Sequence, residues 1–284
     1  MNILNTDRKL IQLSLAEDIG SGDITTQALG LSGKKGKAIV TAKAPGYISG
    51  IHVFKQVYMS LSSAFTFKVF KRDGSSVVPG DIIIEIKGPL GSILTGERTA
   101  MNLLCHLSGV ATMTRSIVEA IDGYDARILD TRKTMPGLRH LQKAAVKNGG
   151  GTNHRFGLYD MYLIKENHIA AAGGLEKALI KVQAHRNKTR ARIEVEVKDL
   201  AELKRALAYK PDFILLDNFT IAMLKQGVKI AQKANTGVVL EASGNINLKN
   251  VRKVAATGVD RISIGKMTHS ASALDLSLKI LEPK

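Results

Sequence analysis

The chain has 284 residues, of which 44% are hydrophobic and 23% are charged, and its mean hydropathy is +0.01. This balance is typical of a globular protein and excludes a disordered chain, a coiled coil and a membrane protein. Lysine and arginine number 41 against 25 acidic residues, and the net charge of +16 indicates an anionic partner. Because the basic residues are scattered along the chain, composition alone leaves nucleic acid and small anionic substrates equally open.

The N-terminal segment MNILNTDRKLIQLSLAEDIG carries acids where a signal peptide has an apolar run. No apolar run approaches the roughly 20 residues that a membrane-spanning helix needs. The single cysteine, Cys105, cannot form a disulfide within the chain. We therefore expect a cytoplasmic protein that does not contact a membrane.

The first part of the chain predicts a helix followed by antiparallel strands. The helix covers residues 7–19 and ends at Gly20. The runs KAIVTAKAPGYISG and FTFKVFKRDGSSVVPGDIIIEIKG then alternate β-rich stretches with glycine, proline and aspartate turns, as antiparallel strands do. A long helix is expected from Glu97 to Gly123, because apolar residues recur there at helical spacing.

Beyond Gly123 the pattern changes to strands that alternate with helices. Such alternation is typical of parallel βαβ units. Six strands are fewer than the eight of a full barrel, so an irregular α/β barrel is the first choice and an open doubly wound sheet is the alternative. A last helix is expected over residues 270–281. The predicted strands cover residues 127–130, 161–165, 192–197, 213–217, 238–243 and 261–265.

Polar or charged residues end each of the six predicted strands. Ligands of barrels and of doubly wound sheets bind at the carboxyl ends of parallel strands. A single polar ending is often only a helix cap, whereas six of them together favour a catalytic site. The residues concerned include Thr131, Arg132, Lys133, Lys165, Glu196, Asp217, Ser243, Gly244, Asn245, Gly265 and Lys266.

Several of these loops suit anionic ligands. Arg132 and Lys133 concentrate positive charge in one loop, although a solvated basic turn is an equally good interpretation. The run GGGTNHR adds His154 and Arg155, but glycines alone indicate no more than a turn. The runs SGN and GK each precede a helix and offer backbone N–H groups to a phosphate. Either run alone is an ordinary helix start, yet barrel phosphate sites often use the last two strand-end loops.

Glu194 and Glu196 lie on one face of an otherwise apolar strand. Buried carboxylates are costly unless they are paired or bound to cations. Glu196, with Asp217 on the next strand, is therefore a candidate ligand for Mg²⁺ or for ribose hydroxyls, and Glu194 is expected in an internal salt bridge. The HExxH, CxxC and GxSxG motifs are absent, which argues against a zinc site and a serine hydrolase.

Segments spread over essentially the whole chain resemble the quinolinate phosphoribosyltransferase family. They are EDIGSGDITT, GERTAMNLLCHLSGVAT, DTRKTMPGLR, KNGGGTNHRFGLYDMYLIKENHI, EVEV, LLDNF, LEASGNI and ISIGKMTHS. The resemblance implies an N-terminal α/β sandwich domain over residues 1–110 and an irregular barrel of about six parallel strands over residues 111–269. It also implies that the final helix, residues 270–284, packs on the first domain, and that the chain forms a homodimer or a higher oligomer.

The resemblance implies a reaction as well. Members of the family transfer a phosphoribosyl group from phosphoribosyl pyrophosphate to quinolinate, with Mg²⁺ present, and release CO₂ and pyrophosphate. The product, nicotinate mononucleotide, belongs to de novo NAD biosynthesis. This reading makes the partners two small anions rather than nucleic acid.

The family's site residues map onto this sequence one by one. Quinolinate-binding cations fall on Arg132, Lys133, His154, Arg155 and Lys165, with Thr131 beside them, and Arg98 is contributed by the neighbouring subunit. Acids near the ribose and the metal fall on Glu196 and Asp217. Phosphate loops fall on Ser243, Gly244 and Asn245 and on Ile264, Gly265 and Lys266, with His269 nearby. The expected catalytic residues are Lys133, Lys165, Glu196 and Asp217. Asn245 departs from the family, in which many members have SGG instead of SGN.

Two other functions stay open at this point. A relative with the same fold could act on another acid or base, as the phosphoribosyltransferase-like proteins associated with molybdate transport do. The complete set of cations favours a dicarboxylate over that option. The chain could also be a basic nucleic-acid-binding protein with an inactive barrel, and its affinity would then depend steeply on salt.

Overall fold

A computed structural model describes residues 4–281 of the chain. The chain divides into two compact units. The first contains Met1–Arg115, Thr134–Gly150 and Met267–Lys284, and the second contains Ser116–Lys133 and Gly151–Lys266. The first unit is therefore assembled from three separate stretches of sequence, one of which lies between two strands of the second unit in the chain.

The helices and strands are numbered in chain order. The helices are α1 Asn5–Ile19, α2 Ile24–Ala28, α3 Ile51–Leu61, α4 Leu90–Ala120, α5 Arg139–Asn148, α6 Glu166–Ala172, α7 Leu175–Thr189, α8 Leu200–Leu207, α9 Ile221–Ala234, α10 Val251–Ala255 and α11 Lys266–His269. The strands are β1 Lys35–Ala42, β2 Gly46–Tyr47, β3 Thr66–Val69, β4 Ser76–Val77, β5 Ile82–Pro89, β6 Arg127–Leu129, β7 Met161–Ile164, β8 Arg192–Val197, β9 Phe213–Asp217, β10 Val239–Ser243, β11 Arg261–Ser263 and β12 Leu276–Leu281. Among residues 4–281, no helix is both long enough and apolar enough to span a bilayer.

The first unit contains a four-stranded antiparallel sheet with the strand order β12-β1-β5-β3. Strand β1 buries every second side chain from Ala38 to Ala42, as a strand with one covered face does. Helix α3 contributes the fully buried rings of Phe54 and Tyr58, whose centroids lie 5.1 Å apart. The antiparallel strands predicted from the sequence are confirmed.

The helix predicted over residues 270–281 is wrong. Residues Leu276–Leu281 form strand β12, which pairs antiparallel with β1 from Leu276 opposite Ala42 to Leu281 opposite Lys37. The run LSLKI alternates apolar and polar residues, which is the period of a strand and not of a helix. The end of the described chain therefore extends the sheet of the first unit.

The long helix begins about two turns earlier than the sequence predicted. It starts at Leu90 instead of Glu97, so Arg98 lies in the third turn and not in the first. Gly91 and Gly96 have a low helix propensity, so the sequence did not predict that the helix starts at Leu90. Packing accounts for the glycine at position 96, because a Cβ there would lie 2.8 Å from the Leu61 side chain.

The second unit contains a sheet of six parallel strands with the order β6-β11-β10-β9-β8-β7. From β7 to β11 each strand pairs with the next one in sequence, and β6 pairs with β11. A doubly wound sheet reverses its strand order in the middle, whereas this order runs in one direction and brings the first strand to the last. The sheet is therefore barrel-like, which confirms the preferred fold over the open alternative.

Candidate active site

A cavity of about 450 Å³ lies at the carboxyl ends of the parallel strands of the second unit. All six strands contribute to its lining, because residues at the ends of parallel strands converge at one edge of a sheet. The structure thus brings together most of the residues that the sequence singled out. Those in the lining are Thr131, Arg132, Lys133, His154, Arg155, Lys165, Glu196, Asp217, Ser243, Gly244 and Asn245.

A second cavity, of about 600 Å³, lies at the amino ends of the strands. Its charged lining residues are Arg127, Arg261, Asp125 and Asp260, so positive and negative charges balance there. The 450 Å³ cavity is the candidate active site, because it collects an excess of lysine and arginine at the strand ends where barrel ligands bind.

Arg155 is the most deeply buried of the cavity arginines, with 8% of its surface exposed. Its Nη1 donates to the carbonyl oxygen of Met161 at 3.0 Å, while its buried Nε has no hydrogen-bond partner. Burial and then the positive charge of Arg132 lower the pKa of Arg155. A guanidinium that faces a cavity with donors to spare is suited to an anionic ligand.

Asp160 shapes the loop that follows Arg155. Its carboxylate accepts hydrogen bonds from the backbone N–H groups of Phe156, at 2.6 Å, and Gly157, at 3.0 Å. Burial opposes ionisation, but these two hydrogen bonds outweigh it and lower the pKa of Asp160. Asp160 therefore closes a tight turn directly after Arg155, and the sequence analysis missed this role.

His154 lies against two buried carboxylates inside the barrel. Its Nε2 is 3.0 Å from Oε2 of Glu194 and 3.4 Å from Oε1 of Glu241. Burial lowers the pKa of His154, but the hydrogen bonds and charges of the two glutamates outweigh burial and raise it to about 10. Burial and the negative charge of Glu241 raise the pKa of Glu194. The predicted internal salt bridge of Glu194 is confirmed.

The other side of the His154 ring contacts the backbone. Nδ1 lies 2.7 Å from the backbone nitrogen of Arg155, so both ring nitrogens have contacts within the protein. The adjacent Asp130 accepts from the backbone N–H of His154 at 2.8 Å and from Nδ2 of Asn153 at 2.5 Å. These contacts fix the segment that presents Arg155 to the cavity.

Glu196 and Asp217 form the acidic part of the lining. Glu196 is the second-last residue of β8, and its Oε2 lies 3.1 Å from Nζ of Lys165. Burial and the negative charge of Glu196 raise the pKa of Asp217, so the two carboxylates share one electrostatic environment. Nδ2 of Asn218 donates to Asp217 at 2.8 Å.

Ser243 is the last residue of β10, and Gly244 and Asn245 follow it; we call these three residues the 243–245 loop. Gly244 has a φ of +97° and Asn245 a φ of +51°, both in the left-handed region that favours glycine and asparagine. A Cβ on Gly244 would overlap the side chain of Asn218. The loop therefore passes directly against a residue of the neighbouring strand end.

Comparisons with known proteins identify the family. A family model for the C-terminal domain of quinolinate phosphoribosyl transferase matches residues 110–279, and one for the N-terminal domain matches residues 23–108. The chain belongs to the quinolinate phosphoribosyltransferase family. This membership confirms the resemblance drawn from the sequence motifs.

Individual relatives match along nearly the whole chain. A probable nicotinate-nucleotide pyrophosphorylase (carboxylating) of Synechocystis is 43% identical over 271 residues, which cover 95% of this chain and 91% of the relative. The nicotinate-nucleotide pyrophosphorylase (carboxylating) of Mycobacterium leprae is 41% identical over 276 residues, or 96% of each chain. The solved structure of the nicotinate-nucleotide pyrophosphorylase from Francisella tularensis is 40% identical, with a TM-score of 0.91 over 99% of this chain and 98% of that one.

Five residues implied by the family resemblance are not among those lining the cavity, namely Arg98, Ile264, Gly265, Lys266 and His269. Arg98 is exposed on α4 in the first unit. The backbone N–H of Ile264 donates to the carbonyl oxygen of Leu129 at 2.9 Å, so it is engaged within the sheet. His269 ends the short helix α11, and its Nδ1 lies 2.6 Å from Oγ of Ser270. Their assignment to the substrate site stays a prediction.

Sequence reasoning did not single out five residues of the cavity lining, namely Leu163, Leu215, Asn218, Glu241 and Ser263. Glu241 lies two residues before Ser243 on β10, so the period-two rule that places Glu194 and Glu196 on one face also places Glu241 on the face of Ser243. Asn218 follows Asp217 directly, one residue beyond the predicted strand over residues 213–217. Its role depends on contacts with a loop 27 residues away in the chain.

Proposed function

We propose that this chain transfers a phosphoribosyl group from phosphoribosyl pyrophosphate to quinolinate and releases CO₂ and pyrophosphate. The product is nicotinate mononucleotide, a precursor in de novo NAD biosynthesis. One observation carries the proposal: a single cavity collects buried and partly buried cations on some strand ends and a carboxylate pair on others. Two polyanionic substrates and a positively charged ribose carbon need these two environments side by side.

The proposed quinolinate site consists of Arg132, Lys133, His154, Arg155 and Lys165, with Thr131 beside them. Two adjacent carboxylates on a flat ring suit the planar fork of an arginine, and the lysines add point charges. Arg155 supports this assignment best, because its buried Nε has no partner within the protein. His154 acts here through its contacts with Glu194, Glu241 and the Arg155 backbone.

The proposed donor site consists of Glu196, Asp217 and the 243–245 loop. Carboxylate oxygens are the protein ligands that Mg²⁺ prefers, and Glu196 and Asp217 line the same cavity. The donor set therefore fits Mg²⁺, held by Glu196 and Asp217 directly or through the substrate. When bound, Mg²⁺ supplies charge neutralisation for pyrophosphate.

The proposed reaction joins the two sites. The lone pair of the quinolinate nitrogen forms a bond to C1 of the ribose while the bond from C1 to the pyrophosphate oxygen breaks. The carboxylate next to the nitrogen then leaves as CO₂, and the ring carbon takes up a proton with the electron pair left behind. Lys133 and Lys165 neutralise the anions, and Glu196 and Asp217 stabilise positive charge at C1 or hold the ribose hydroxyls. Positioning and electrostatics supply most of the rate.

The proposed assembly is a homodimer in which Arg98 reaches the quinolinate site of the partner. Arg98 supports this because it is exposed on α4 and is not part of the cavity lining of its own chain. The proposed compartment is the cytoplasm. The single cysteine supports this compartment, since it offers no internal disulfide.

Replacing Gly244 with alanine tests the donor site. The new Cβ overlaps the Asn218 side chain, so we expect the KM for phosphoribosyl pyrophosphate to rise by about tenfold or more, corresponding to 1–3 kcal/mol of overpacking. The affinity of the free enzyme for quinolinate, measured by calorimetry, stays unchanged.

Gly237→Ala is the matched control for this substitution. Gly237 also has a positive φ, of +71°, but no atom lies within 4 Å of the position of its Cβ. It carries the same kind of backbone strain without the overlap. Loss of quinolinate affinity in Gly244→Ala, with an unchanged KM for phosphoribosyl pyrophosphate, would reassign the loop.

The experiment that tests the proposed function compares two acceptors. The purified protein is incubated with phosphoribosyl pyrophosphate, Mg²⁺ and either quinolinate or nicotinate, and nicotinate mononucleotide is measured. We expect product from quinolinate and very little from nicotinate, because nicotinate lacks one carboxylate for the arginines. Equal turnover of both acceptors contradicts the dicarboxylate site, and turnover of neither contradicts the proposed function.

A further inference from the structure

We propose that Asn218 is a positioning residue that links Asp217 to the 243–245 loop through a hydrogen-bonded chain ending at Asn245. The proposal rests on the proposed function for its kinetic consequence, but its structural part stands on the contacts of the free protein. Asn218 lines the cavity between the acid pair and the loop. It is part of neither group that the sequence motifs identified.

The hydrogen bonds of the chain have one possible direction. Nδ2 of Asn218 donates to Oδ2 of Asp217 at 2.8 Å, because an ionised carboxylate only accepts hydrogen bonds. The amide oxygen of Asn218 therefore faces the other way, and it accepts from Nδ2 of Asn245 at 3.2 Å. The charge of Asp217 thus orients the amide of Asn218, and that amide in turn orients Asn245.

The backbone holds the same residues together. The N–H of Asn218 donates to the carbonyl oxygen of Ser243 at 2.9 Å, so main chain and side chain of one residue both contact the loop. The loop is held from its far side as well, because the carbonyl oxygen of Asn245 accepts from Nδ2 of Asn250 at 3.1 Å. Asn218 therefore contacts both Asp217 and the 243–245 loop.

Both asparagines of this hydrogen-bonded chain have a left-handed backbone. Asn218 has a φ of +55° and Asn245 a φ of +51°. Gly244, which directly precedes Asn245, has a φ of +97°. Residues other than glycine adopt this region at a cost and persist there when surrounding contacts hold them. Glycine at 218 or 245 would remove this cost together with the amide, so a glycine substitution tests the amide without adding backbone strain.

The chain gives the two groups of the donor site a fixed relative position. Asp217 faces the proposed ribose and metal, and the 243–245 loop faces the proposed phosphate. A donor substrate contacts both, whereas quinolinate is assigned to the cations on the other strands. Loss of Asn218 should therefore weaken the use of phosphoribosyl pyrophosphate and leave quinolinate binding unchanged.

Asn218→Gly and Asn245→Gly test the proposal without adding strain, because glycine adopts positive φ freely. We expect Asn218→Gly to raise the KM for phosphoribosyl pyrophosphate by about 10- to 100-fold, as for a lost hydrogen bond to a charged group, and Asn245→Gly by about fivefold. The dissociation constant of quinolinate should not change in either variant. The double variant should resemble Asn218→Gly alone, since the chain is already broken.

Asn235→Gly is the matched control. Asn235 also has a left-handed backbone, with a φ of +49°, but it ends helix α9 and is not part of the cavity lining. We expect wild-type kinetics from it. Additive effects of the 218 and 245 substitutions, or equal losses for both substrates, would overturn the proposal.

Hydrogen–deuterium exchange of the free protein separates this proposal from the proposed function. Residues 243–250 should exchange several-fold faster in Asn218→Gly than in the wild type, and at the wild-type rate in Asn235→Gly. Unchanged exchange in Asn218→Gly overturns the positioning role whatever the enzyme's activity. Faster exchange in a protein that does not turn over quinolinate supports the positioning role and contradicts only the function.

Discussion

Arg155→Lys lowers kcat/KM for quinolinate by the equivalent of about 2–5 kcal/mol, although the charge is retained. Arg155 is buried, and one of its nitrogens is already engaged by the Met161 carbonyl. A lysine ammonium cannot make that contact and also present a planar pair of donors to a carboxylate. Steady-state kinetics with quinolinate varied at saturating phosphoribosyl pyrophosphate measure the loss.

Arg205→Lys is the matched control for this change. Arg205 pairs with Glu176 at 3.1 Å on an exposed face of the second unit, where exchange of one cation for another has little effect on stability or binding. We expect it to keep wild-type kinetics. If Arg155→Lys also stays within a few-fold of the wild type, Arg155 does not bind the dicarboxylate.

Arg98→Ala is expected to abolish most activity, by roughly 100-fold or more, while the protein stays folded and keeps the proposed dimeric state. The proposed reason is that Arg98 completes the quinolinate site of the partner subunit. Because α4 starts at Leu90, Arg98 is too far from the helix N-terminus for the helix dipole to affect it strongly. Loss of Arg98 on an exposed helix face should not destabilise its own chain by much. Kinetics, circular dichroism and analytical ultracentrifugation measure the three properties.

Mixing the Arg98→Ala and Lys165→Ala variants under subunit exchange tests whether Arg98 acts in the active site of the partner subunit. A heterodimer of these two chains contains one site that receives both intact residues, so activity should return. Arg72→Ala, another exposed arginine of the first unit, is the control and should stay active. Confirmed heterodimers without any activity would show that each chain builds its own site.

The sequence predicted the second unit well because its elements are locally encoded. Strands β8 and β9 match their predicted bounds, since each is a short apolar run between clear turn residues. The strand ends then placed Lys165, Glu196 and Asp217 in one cavity, because parallel strands carry their ends to one edge.

Elements that depend on distant partners were not predicted. Strand β12 forms because it pairs with β1, which lies more than two hundred residues earlier in the chain. The contacts of His154 with Glu194 and Glu241 join three separate segments. No local pattern in the sequence indicates which carboxylates a histidine contacts, since such pairs form only in the folded chain.

The most direct test of the proposed reaction follows the fate of each quinolinate carboxylate. Quinolinate is labelled either at the carboxylate next to the ring nitrogen or at the other one, and released CO₂ is compared with pyrophosphate. The proposed reaction predicts labelled CO₂ from the first compound only, in an amount equal to pyrophosphate and only with phosphoribosyl pyrophosphate present. Pyrophosphate formed without that label, or label released without the phosphoribosyl donor, would contradict the assignment.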